Sequence, residues 1–311
     1  METIHFPDDS RPPWLVHPVL ALGNFDGLHR GHLKIIERVK RGAAEYGGTA
    51  MAMTFDPHPP RVVRPEKAPA LLMTTAQRIE ALHRAGIQCT AIVRFTHEVS
   101  QWDPETFVRS VLVEWLRVSK VWVGANFLFG RGRSGNYSLL RTLGQRYGFR
   151  AEKIDPVRYK DFVVSSTRIR RLVAEGRVDE AGALMGHPHF IDGVVTRGRG
   201  RGREIGFPTA NIETANELLP PHGVYATMLT VDGIVRAALT NVGIRPTFGE
   251  SALTIETYVL GYSGDLYGRE VRLTFVQRLR DERAFPDVDA LRAQLEADER
   301  RAERLFSRMS V

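Results

Sequence analysis

Short apolar runs alternate with helical patterns along the first 124 residues, and this alternation limits the possible folds more than any other feature of the chain. The apolar runs lie at Val19–Leu22, Thr49–Phe55, Thr90–Phe95 and Val121–Gly124. The helical patterns lie near Leu33–Tyr46, Ala76–Ala85 and Pro104–Leu116. Strands that alternate with helices form crossover units, and such units assemble parallel sheets. The sequence therefore predicts an N-terminal α/β domain built on a parallel sheet.

The helical pattern near Ala76–Ala85 has a start signal, an apolar face and a stop signal. Thr74 or Thr75 can cap its start, and Gly86 can end it. The apolar stripe consists of Ile79, Leu82 and Ala85. These features predict a helix that packs on the sheet, and we expect its role to be structural rather than chemical.

The second half of the chain has a different sequence pattern, in which short predicted strands are separated by glycines. The predicted strands are Gly193–Thr196, Gly223–Val231, Ile234–Asn241, Thr254–Leu260 and Val271–Gln277, followed by a helix over Val288–Arg308. Closely spaced short strands with turn signals between them are typical of antiparallel barrels. We therefore expect a mostly antiparallel β-barrel with a terminal helix.

The boundary between the two halves is predicted near residue 185. A helical pattern over Ser166–Met185 stops at Gly186, and Pro188 follows two residues later. A chain of 311 residues is long enough for two domains. We predict one domain over residues 1–185 and a second over residues 186–311.

The composition limits where this chain works and what it binds. Its net charge of +7 favours an anionic partner, which leaves nucleic acid, an acidic membrane surface and phosphorylated small molecules open. A single cysteine, Cys89, excludes an internal disulfide. With no signal pattern and no apolar run of about 18 residues, the sequence predicts a cytoplasmic protein that does not span a membrane.

The stretch GNFDGLHRGH, residues 23–32, follows the first predicted strand and opens the first predicted helix. Glycines at such a position let backbone N–H groups approach a phosphate, although the stretch is neither a Rossmann Gly-x-Gly-x-x-Gly nor a P-loop. His29 and His32 lie three residues apart, so both imidazoles can donate hydrogen bonds to one phosphoryl group, with Gly31 leaving room for it. The alternative is that the two histidines only cap a helix.

Four motifs in order resemble one enzyme family. GNFDGLHRGH is similar to the His-x-Gly-His signature of nucleotidylyltransferases, in the form found in bacterial bifunctional riboflavin kinase/FAD synthetases. TFDPHP (54–59), GANFLFGRGRSGN (124–136) and SSTRIR (165–170) resemble the next three landmarks of that family. The resemblance implies a Rossmann-like nucleotidylyltransferase domain that transfers the adenylyl group of ATP to FMN.

The resemblance also implies roles for individual residues of the N-terminal domain. His29 and His32 would stabilise the transferring α-phosphoryl group, and Asn126 would lie on the flavin or ATP side. The residues implied to bind ATP are Gly23, Asp26, Gly31, Ser166, Thr167 and Arg170.

Two of these motifs also have plainer interpretations. Hydroxyls that open a helix and precede an arginine form a good anion clamp, but SSTRIR would equally serve as an ordinary helix cap with a solvated arginine face. The Asp-Pro-His-Pro segment after a strand is also what an ordinary turn looks like, so contact between His58 and ligand is left open.

The stretch GRGRGREIGFPTAN, residues 198–211, resembles the glycine-rich loop and Pro-Thr-Ala-Asn motif of riboflavin kinase. Gly200, Gly202 and Gly206 can form a backbone cradle for ATP phosphates. The Thr209 hydroxyl and the Asn211 amide oxygen are hard ligands suited to Mg²⁺, and Thr209 would also contact ATP. We predict a metal site on these two residues.

Two further observations bear on this loop. No lysine follows Lys160, so a kinase here would rely on backbone donors, arginine and Mg²⁺ to neutralise the triphosphate. RNA binding by the RGRGRGR run is the alternative, but it would favour aromatic residues between the arginines, whereas Phe190 and Phe207 only flank them.

The remaining motifs follow the riboflavin kinase pattern to the terminal helix. They are GVYA (223–226), NVGIRPTF (241–248), IETYVL (255–260), GDLYG (264–268) and RLRDERAF (278–285). The resemblance implies that Glu256 is the general base for the riboflavin 5′-hydroxyl. Its spacing alone would make it a solvent-facing strand residue.

Together these expectations describe an enzyme that phosphorylates riboflavin with ATP to FMN and then adenylylates FMN to FAD, releasing pyrophosphate. Its cofactor would be Mg²⁺, with ATP as co-substrate and riboflavin, FMN and FAD as substrates and products. We expect only small-molecule partners, with neither nucleic acid nor membrane, and the sequence gives no signal for an oligomeric state. Two alternatives stay open: transfer to another phosphate ester, and a nucleic-acid-binding protein that uses the arginine–glycine run.

Overall fold

The computed structural model describes residues 2–198, 202, 206–246 and 251–309, with only the backbone described at 245–246 and 251–252. The chain divides into two compact units, residues 1–166 and residues 167–311. Among the described residues, no helix is both long enough and apolar enough to cross a membrane.

The first unit contains a six-stranded sheet in which every neighbouring pair is parallel. Its strands are β1 (Glu2–Phe6), β2 (Val19–Leu22), β3 (Ala50–Asp56), β4 (Cys89–Arg94), β5 (Lys120–Gly124) and β8 (Arg150–Ile154), in the order β1-β4-β3-β2-β5-β8. Two small hairpins pair β6 (Leu128–Phe129) with β7 (Gly135–Asn136) and β9 (Arg158–Tyr159) with β10 (Phe162–Val163). The predicted parallel α/β domain is confirmed.

The helices of the first unit follow the strands as predicted. They are α1 (Arg30–Glu45), α2 (Pro59–Val63), α3 (Thr75–Arg84), α4 (His97–Ser100), α5 (Pro104–Phe107) and α6 (Tyr137–Tyr147). The predicted helix Pro104–Leu116 is only partly α-helical, because α5 passes into a π-helical segment over Val108–Trp115. The Leu116 N–H donates to the Val111 carbonyl five residues earlier, which is the π-helical spacing.

Helix α3 begins and ends as predicted, and its buried face also includes polar residues. The Thr74 side chain and Gln77 form a capping box at its start. Its buried residues are Gln77, Arg78 and Leu82, whereas Ile79, which belongs to the predicted apolar stripe, is only partly buried. Of the predicted apolar stripe, Leu82 is thus fully buried and Ile79 and Ala85 are partly buried, and the polar side chains of Gln77 and Arg78 share the buried face.

The second unit begins at Thr167, within α7 (Ser166–Ala174), and α8 (Val178–Met185) follows, where the sequence predicted one helix. Gly176 has φ +78° and breaks the helix, since a left-handed residue cannot continue it. Gly186 has φ +92° and caps α8, as predicted. Val178 of α8 has no exposed surface and packs with the apolar core of the barrel described next.

A closed antiparallel barrel forms the rest of the second unit. Its strands are β11 (His189–Thr196), β12 (Thr209–Thr214), β13 (Gly223–Val231), β14 (Ile234–Pro246), β15 (Ser251–Val259) and β16 (Glu270–Arg280), in the order β11-β12-β15-β14-β13-β16. The terminal helix is α9 (Val288–Ser307). The predicted barrel with a terminal helix is confirmed, and β12 is the strand that the sequence analysis did not predict.

Side chains alternate between the interior and the exterior of this barrel. Inside, the buried hydroxyls of Thr227, Thr240 and Thr257 form a chain with oxygen–oxygen distances of 2.8 Å and 2.9 Å. Outside, Tyr258 packs toward α9 and its hydroxyl donates to Glu299 at 3.2 Å. Glu256, two residues before Tyr258, therefore lies on the outer side of β15.

Candidate active sites

The first candidate site lies where β2 ends. Strand β2 has β3 on one side and β5 on the other, and the strand order reverses here, because β3 and β4 continue in one direction and β8 in the other. All six strands are parallel, so the loops that follow β2, β3 and β5 leave the same edge of the sheet. Ligands of open α/β sheets bind at such a reversal, outside the carboxyl ends of the strands.

His29 and His32 lie together at this edge. Their rings stack with centroids 3.6 Å apart and planes 13° apart. His29 is the N-cap of α1, and its Nδ1 accepts a hydrogen bond from the His32 N–H at 3.3 Å. The two histidines thus form one unit at a helix N-terminus, where the helix dipole favours an anion.

Gly31 and Phe25 shape this pair. A Cβ on Gly31 would lie 3.1 Å from Cε1 of His29, so the absence of a side chain lets the imidazole lie against the first turn of α1. Phe25 is fully buried, and its ring meets the His32 ring edge to face at 5.2 Å. Gly23, at the start of the loop, donates its N–H to the Met53 carbonyl of β3.

Asp26 and Ser166 also belong to this loop, but the carboxylate of Asp26 is turned inward. It is 1% exposed and accepts the N–H groups of Leu72 and Met73 at 3.2 Å and 3.1 Å. The Asp26 carbonyl accepts a hydrogen bond from Ser166 Oγ at 2.9 Å. The structure therefore brings Ser166 to the loop and gives the Asp26 side chain backbone partners.

The other predicted residues of this domain are placed as follows. Asn126 is exposed in the loop after β5, on the edge of the sheet that carries the histidine pair. His58 is 5% exposed and stands before α2 without capping it by its side chain. Thr167 and Arg170 lie in α7, where Thr167 is exposed and Arg170 half-buried.

The sequence analysis missed Arg78 of α3, which also reaches this loop. Its guanidinium donates to the Asn24 carbonyl at 3.1 Å and to the Phe55 carbonyl at 3.4 Å. A charged residue in an amphipathic helix is ordinarily solvent-exposed. Arg78 directly precedes Ile79, the first residue of the predicted apolar stripe, and no local pattern in the sequence indicates its burial.

The second candidate site is a polar row on the outer face of the barrel. Glu256 of β15 is in register with Asn211 of β12 on one side and with Asn241 of β14 on the other. Directly opposed residues in antiparallel strands point to the same face. The Asn241 amide lies 3.4 Å from a carboxylate oxygen of Glu282. Asn241 and Glu282 lie in the motifs NVGIRPTF and RLRDERAF, whose patterns predict no role for either residue.

The glycine-rich loop meets this row at its described residues. A Cβ on Gly198 would lie 2.0 Å from the Asn211 amide nitrogen, so the chain passes directly over that side chain. The Gly202 carbonyl accepts the N–H of Phe207, and a Cβ on Gly202 would lie 3.4 Å from Oγ1 of Thr209. Gly206 has φ +87°, which suits glycine. Gly200 lies outside the described residues.

A cavity of about 550 Å³ opens beside Thr209. Polar and aromatic side chains contribute to its lining, among them Arg197, Tyr262, Asp265 and Tyr267. The Arg197 guanidinium lies over the Tyr267 ring, 5.8 Å from its centroid. The lining combines this cationic group and the aromatic rings with apolar side chains such as Val195 and Val259, a mixture that is compatible with a nucleotide.

The donor groups of the second site fit a hard cation. Thr209 and Asn211 lie two residues apart on β12, so a hydroxyl and an amide oxygen lie on one face of the strand, with the Glu256 carboxylate opposite Asn211. Oxygen ligands of this kind suit Mg²⁺. The described part of the chain has no group of three His, Cys, Asp or Glu residues that could hold a metal. Oxygen atoms of nucleotide phosphates are suitable further ligands for Mg²⁺.

Comparison with known proteins matches each half of the chain to a protein family. The family model for FAD synthetase matches residues 15–168, and the model for riboflavin kinase matches residues 185–306. The fold is similar to that of a solved protein from Streptococcus pneumoniae described as a macrolide-efflux protein, with a TM-score of 0.88 and 27% identity over 97% of this chain and 98% of that one.

Several curated relatives carry the name bifunctional riboflavin kinase/FMN adenylyltransferase. The one from Escherichia coli K12 is 34% identical and covers 93% of this chain and 92% of its own length. Those from Listeria monocytogenes and Bacillus subtilis are 35% and 33% identical, covering 94% and 99% of both chains respectively. Identity at this level over nearly the whole length shows that the chain belongs to the family of bifunctional riboflavin kinases/FMN adenylyltransferases.

Proposed function

We propose that this chain makes FMN and then FAD, with one reaction on each domain. The first domain transfers the adenylyl group of ATP to FMN, and the second phosphorylates riboflavin. The stacked pair of His29 and His32 is the observation that supports the first activity most directly. The register of Asn211 with Glu256 supports the second.

In the first domain, a phosphate oxygen of FMN attacks the α-phosphorus of ATP in line. The bond from that phosphorus to the β-phosphate bridging oxygen breaks, and pyrophosphate leaves. His29 and His32 donate hydrogen bonds to the charge that develops on the transferring group. Ser166, Thr167 and Arg170 hold the triphosphate tail, and Asn126 contacts the flavin or ATP.

In this proposal Gly23 and Gly31 line the ATP site through their backbone. The Asp26 carboxylate accepts the backbone N–H groups of residues 72 and 73, so we assign it the role of anchoring the ATP-binding loop rather than that of a ligand. The positive charge of Arg78 lies close enough to interact with this carboxylate.

In the second domain, the riboflavin 5′-oxygen attacks the γ-phosphorus of ATP. Glu256 accepts the hydroxyl proton, and ADP leaves with the electrons of the broken bond. Gly200, Gly202 and Gly206 hold the phosphates, and Thr209 and Asn211 would hold Mg²⁺. When bound, this ion would neutralise the triphosphate charge and orient the γ-phosphoryl group.

The proposal extends to the partners and the location of the protein. Small anionic substrates account for the net charge of +7 without nucleic acid. Arg131 and Arg133, in the loop after β6, are exposed and could attract such substrates. A cytoplasmic location and independence of membranes stay predictions of the sequence.

A single incubation tests this function. The protein is mixed with riboflavin, ATP and Mg²⁺, and the flavins are separated by chromatography. We expect FMN to appear first and FAD to follow. FMN that accumulates without FAD would favour transfer to another phosphate ester in the first domain. If neither flavin forms and RNA is retained on a filter, the nucleic-acid alternative would hold.

Replacement of Glu256 by Gln tests the assignment of the base. The amide keeps the shape but cannot accept the proton, so riboflavin phosphorylation should fall about 100-fold or more. Riboflavin binding, followed by flavin fluorescence, should hardly change. The same preparation, supplied with FMN, should still make FAD, because a folding defect would reduce both activities. Full kinase activity in this variant would assign the base to another acidic residue.

A further inference from the structure

Arg78 is a buried cation beneath the loop that carries the histidine pair. Its side chain lies on α3 and is 1% exposed. Such burial of an arginine is rare unless its charge is compensated. The residue is also too deeply buried to touch ATP or FMN, so any effect on the reaction must pass through its protein neighbours.

The guanidinium joins the ends of two neighbouring strands. Nη1 donates to the carbonyl of Asn24, just after β2, and Nη2 donates to the carbonyl of Phe55, near the end of β3, at 3.1 Å and 3.4 Å. Nη2 also lies 3.2 Å from the Thr75 hydroxyl in the first turn of α3. A rigid planar fork can hold such acceptors in a fixed arrangement, whereas an ammonium group cannot.

Two carboxylates compensate the charge of this buried group. Burial lowers the pKa of Arg78, and the negative charges of Asp26 and Asp56 oppose that shift. Asp26 belongs to the loop after β2, and Asp56 ends β3. The same two segments that supply the carbonyl acceptors therefore also supply the compensating charge.

The loop that Arg78 contacts has an unfavourable backbone conformation. Phe25 has φ +51° and Leu28 has φ +32°, values that residues with a Cβ rarely adopt, and Gly27 lies between them at φ +81°. Such a conformation persists only where surrounding contacts enforce it. The carbonyl of Asn24, which Arg78 holds, immediately precedes the first of these residues.

The loop conformation determines where the imidazoles lie. The buried ring of Phe25 contacts the His32 ring, and His32 in turn stacks on His29. A shift of the loop would move Phe25 and leave the histidine pair without its support.

We propose that Arg78 is a positioning residue of the adenylyltransferase site, which holds the loop after β2 in the conformation that stacks His29 on His32. This inference rests on the proposed function of the first domain. It gives α3, which the sequence analysis considered purely structural, a role in the reaction.

The test compares Arg78→Lys with Arg84→Lys. Arg84 lies on the same helix with its side chain 70% exposed and paired with Glu80, so it controls for the substitution itself. We expect Arg78→Lys to lower kcat for FAD formation from FMN about 10- to 100-fold. KM for ATP should stay within about twofold, because the residue does not touch substrate. Arg84→Lys should match the wild type, and both variants should phosphorylate riboflavin normally.

Two further measurements separate positioning from general stability. All four tryptophans lie in the first unit, so their fluorescence shows whether that unit is folded at the assay temperature. Imidazole carbon–proton NMR spectra should show the His29 and His32 resonances displaced in Arg78→Lys, while those of His187 and His189 in the second unit stay in place. An unchanged kcat, or a lowered kcat with unmoved His29 and His32 resonances, would overturn the proposal.

A milder variant covers the case in which Arg78→Lys does not fold. Thr75→Val removes only the hydroxyl contact to Nη2, and we expect kcat to fall about threefold, with the same two resonances displaced. No change in either would also overturn the proposal. If the wild-type protein itself makes no FAD, the proposed function fails, and the NMR comparison still reports on the positioning.

Discussion

At the scale of single residues, His29 shows that two interpretations of one motif are compatible. The alternative to a chemical role was that the histidines cap a helix, and His29 does cap α1. Its ring is also 7% exposed and stacked on His32. A cap needs only one acceptor atom, so it explains neither the second imidazole nor the burial. The pattern and spacing were readable from sequence, but the stacking was not.

Substitutions at positions 29 and 32 separate capping from chemistry. Asn is a good N-cap, so His29→Asn should keep α1 stable while removing the imidazole. We expect FAD formation in His29→Asn and in His32→Ala to fall by about 30-fold or more, which corresponds to about 2 kcal/mol of transition-state stabilisation. Steady-state rates with FMN and ATP measure this.

The kinase reaction in the same preparations is the internal control, since each histidine acts in the first domain alone. FMN formation should therefore stay at the wild-type rate. If the His29→Asn variant makes FAD at the wild-type rate, His29 acts only as a helix cap.

His189 makes the second unit sensitive to acid. It is 2% exposed and stacks on Phe275, and burial lowers its pKa to about 4, although the hydrogen bond to the Leu218 carbonyl opposes the shift. In the unfolded chain the histidine side chain has a pKa of about 6.5. Between these values the unfolded state holds more protons, so stability falls as the pH drops from about 6.5 to about 4, by roughly 3 kcal/mol in total.

Urea titrations of the wild type and of His189→Gln at pH 7 and pH 5 check this. Circular dichroism follows both units, and tryptophan fluorescence identifies the transition of the first unit. Acidification from pH 7 to pH 5 should lower the free energy of unfolding of the second unit less in His189→Gln than in the wild type. Equal losses in the two proteins would show that other groups cause the acid sensitivity.

At the scale of elements, the sequence predicted the strands and helices that have a clear apolar pattern. It did not predict the features that depend on tertiary contacts. Buried strands such as β2 are continuous apolar runs and were found. The edge strands β1 and β8 and the short strand β12 carry few apolar residues, so their pattern is weak. The inward turn of Arg78 in α3 depends on carbonyls far away in sequence, which no local pattern reveals.

A buried ion pair is one of the contacts that attach α9 to the barrel. Arg280 of β16 donates to the Asp298 carboxylate from Nε at 2.9 Å, and Gln294 donates to its other oxygen at 2.8 Å. The Asp298 side chain is 4% exposed. Asp298→Asn would leave the arginine without its counter-charge, and we expect a loss of about 3 kcal/mol in the free energy of unfolding.

The control for this prediction lies on the same helix. Glu296 and Arg300 form an exposed pair at 3.7 Å, and Glu296→Gln should change stability by less than about 0.5 kcal/mol. Urea denaturation of both variants compares a buried pair with an exposed one. Similar small losses would mean that the buried ion pair contributes little to the attachment of α9.

At the scale of the whole molecule, the order of motifs predicted two activities and two folds, and both folds are confirmed. The extent of each unit was harder to predict, because a helix does not reveal from its own sequence which core it joins. The predicted boundary after residue 185 follows a true helix end, but α8 packs on the barrel. The roles of the site residues depend on bound substrates, so they stay predictions.

Two fragments test where the kinase unit begins. Residues 167–311 keep α8, whose Val178 and Ala181 have no exposed surface, whereas residues 184–311 lose both. Burial of a valine alone contributes about 2 kcal/mol, so we expect the longer fragment to phosphorylate riboflavin near the full-chain rate and the shorter one to be less stable by about 3 kcal/mol or more. Val178→Ala in the longer fragment should reproduce part of that loss. Equal urea midpoints for the two fragments would instead support the boundary at 185/186, with α8 contributing nothing to the stability of the barrel.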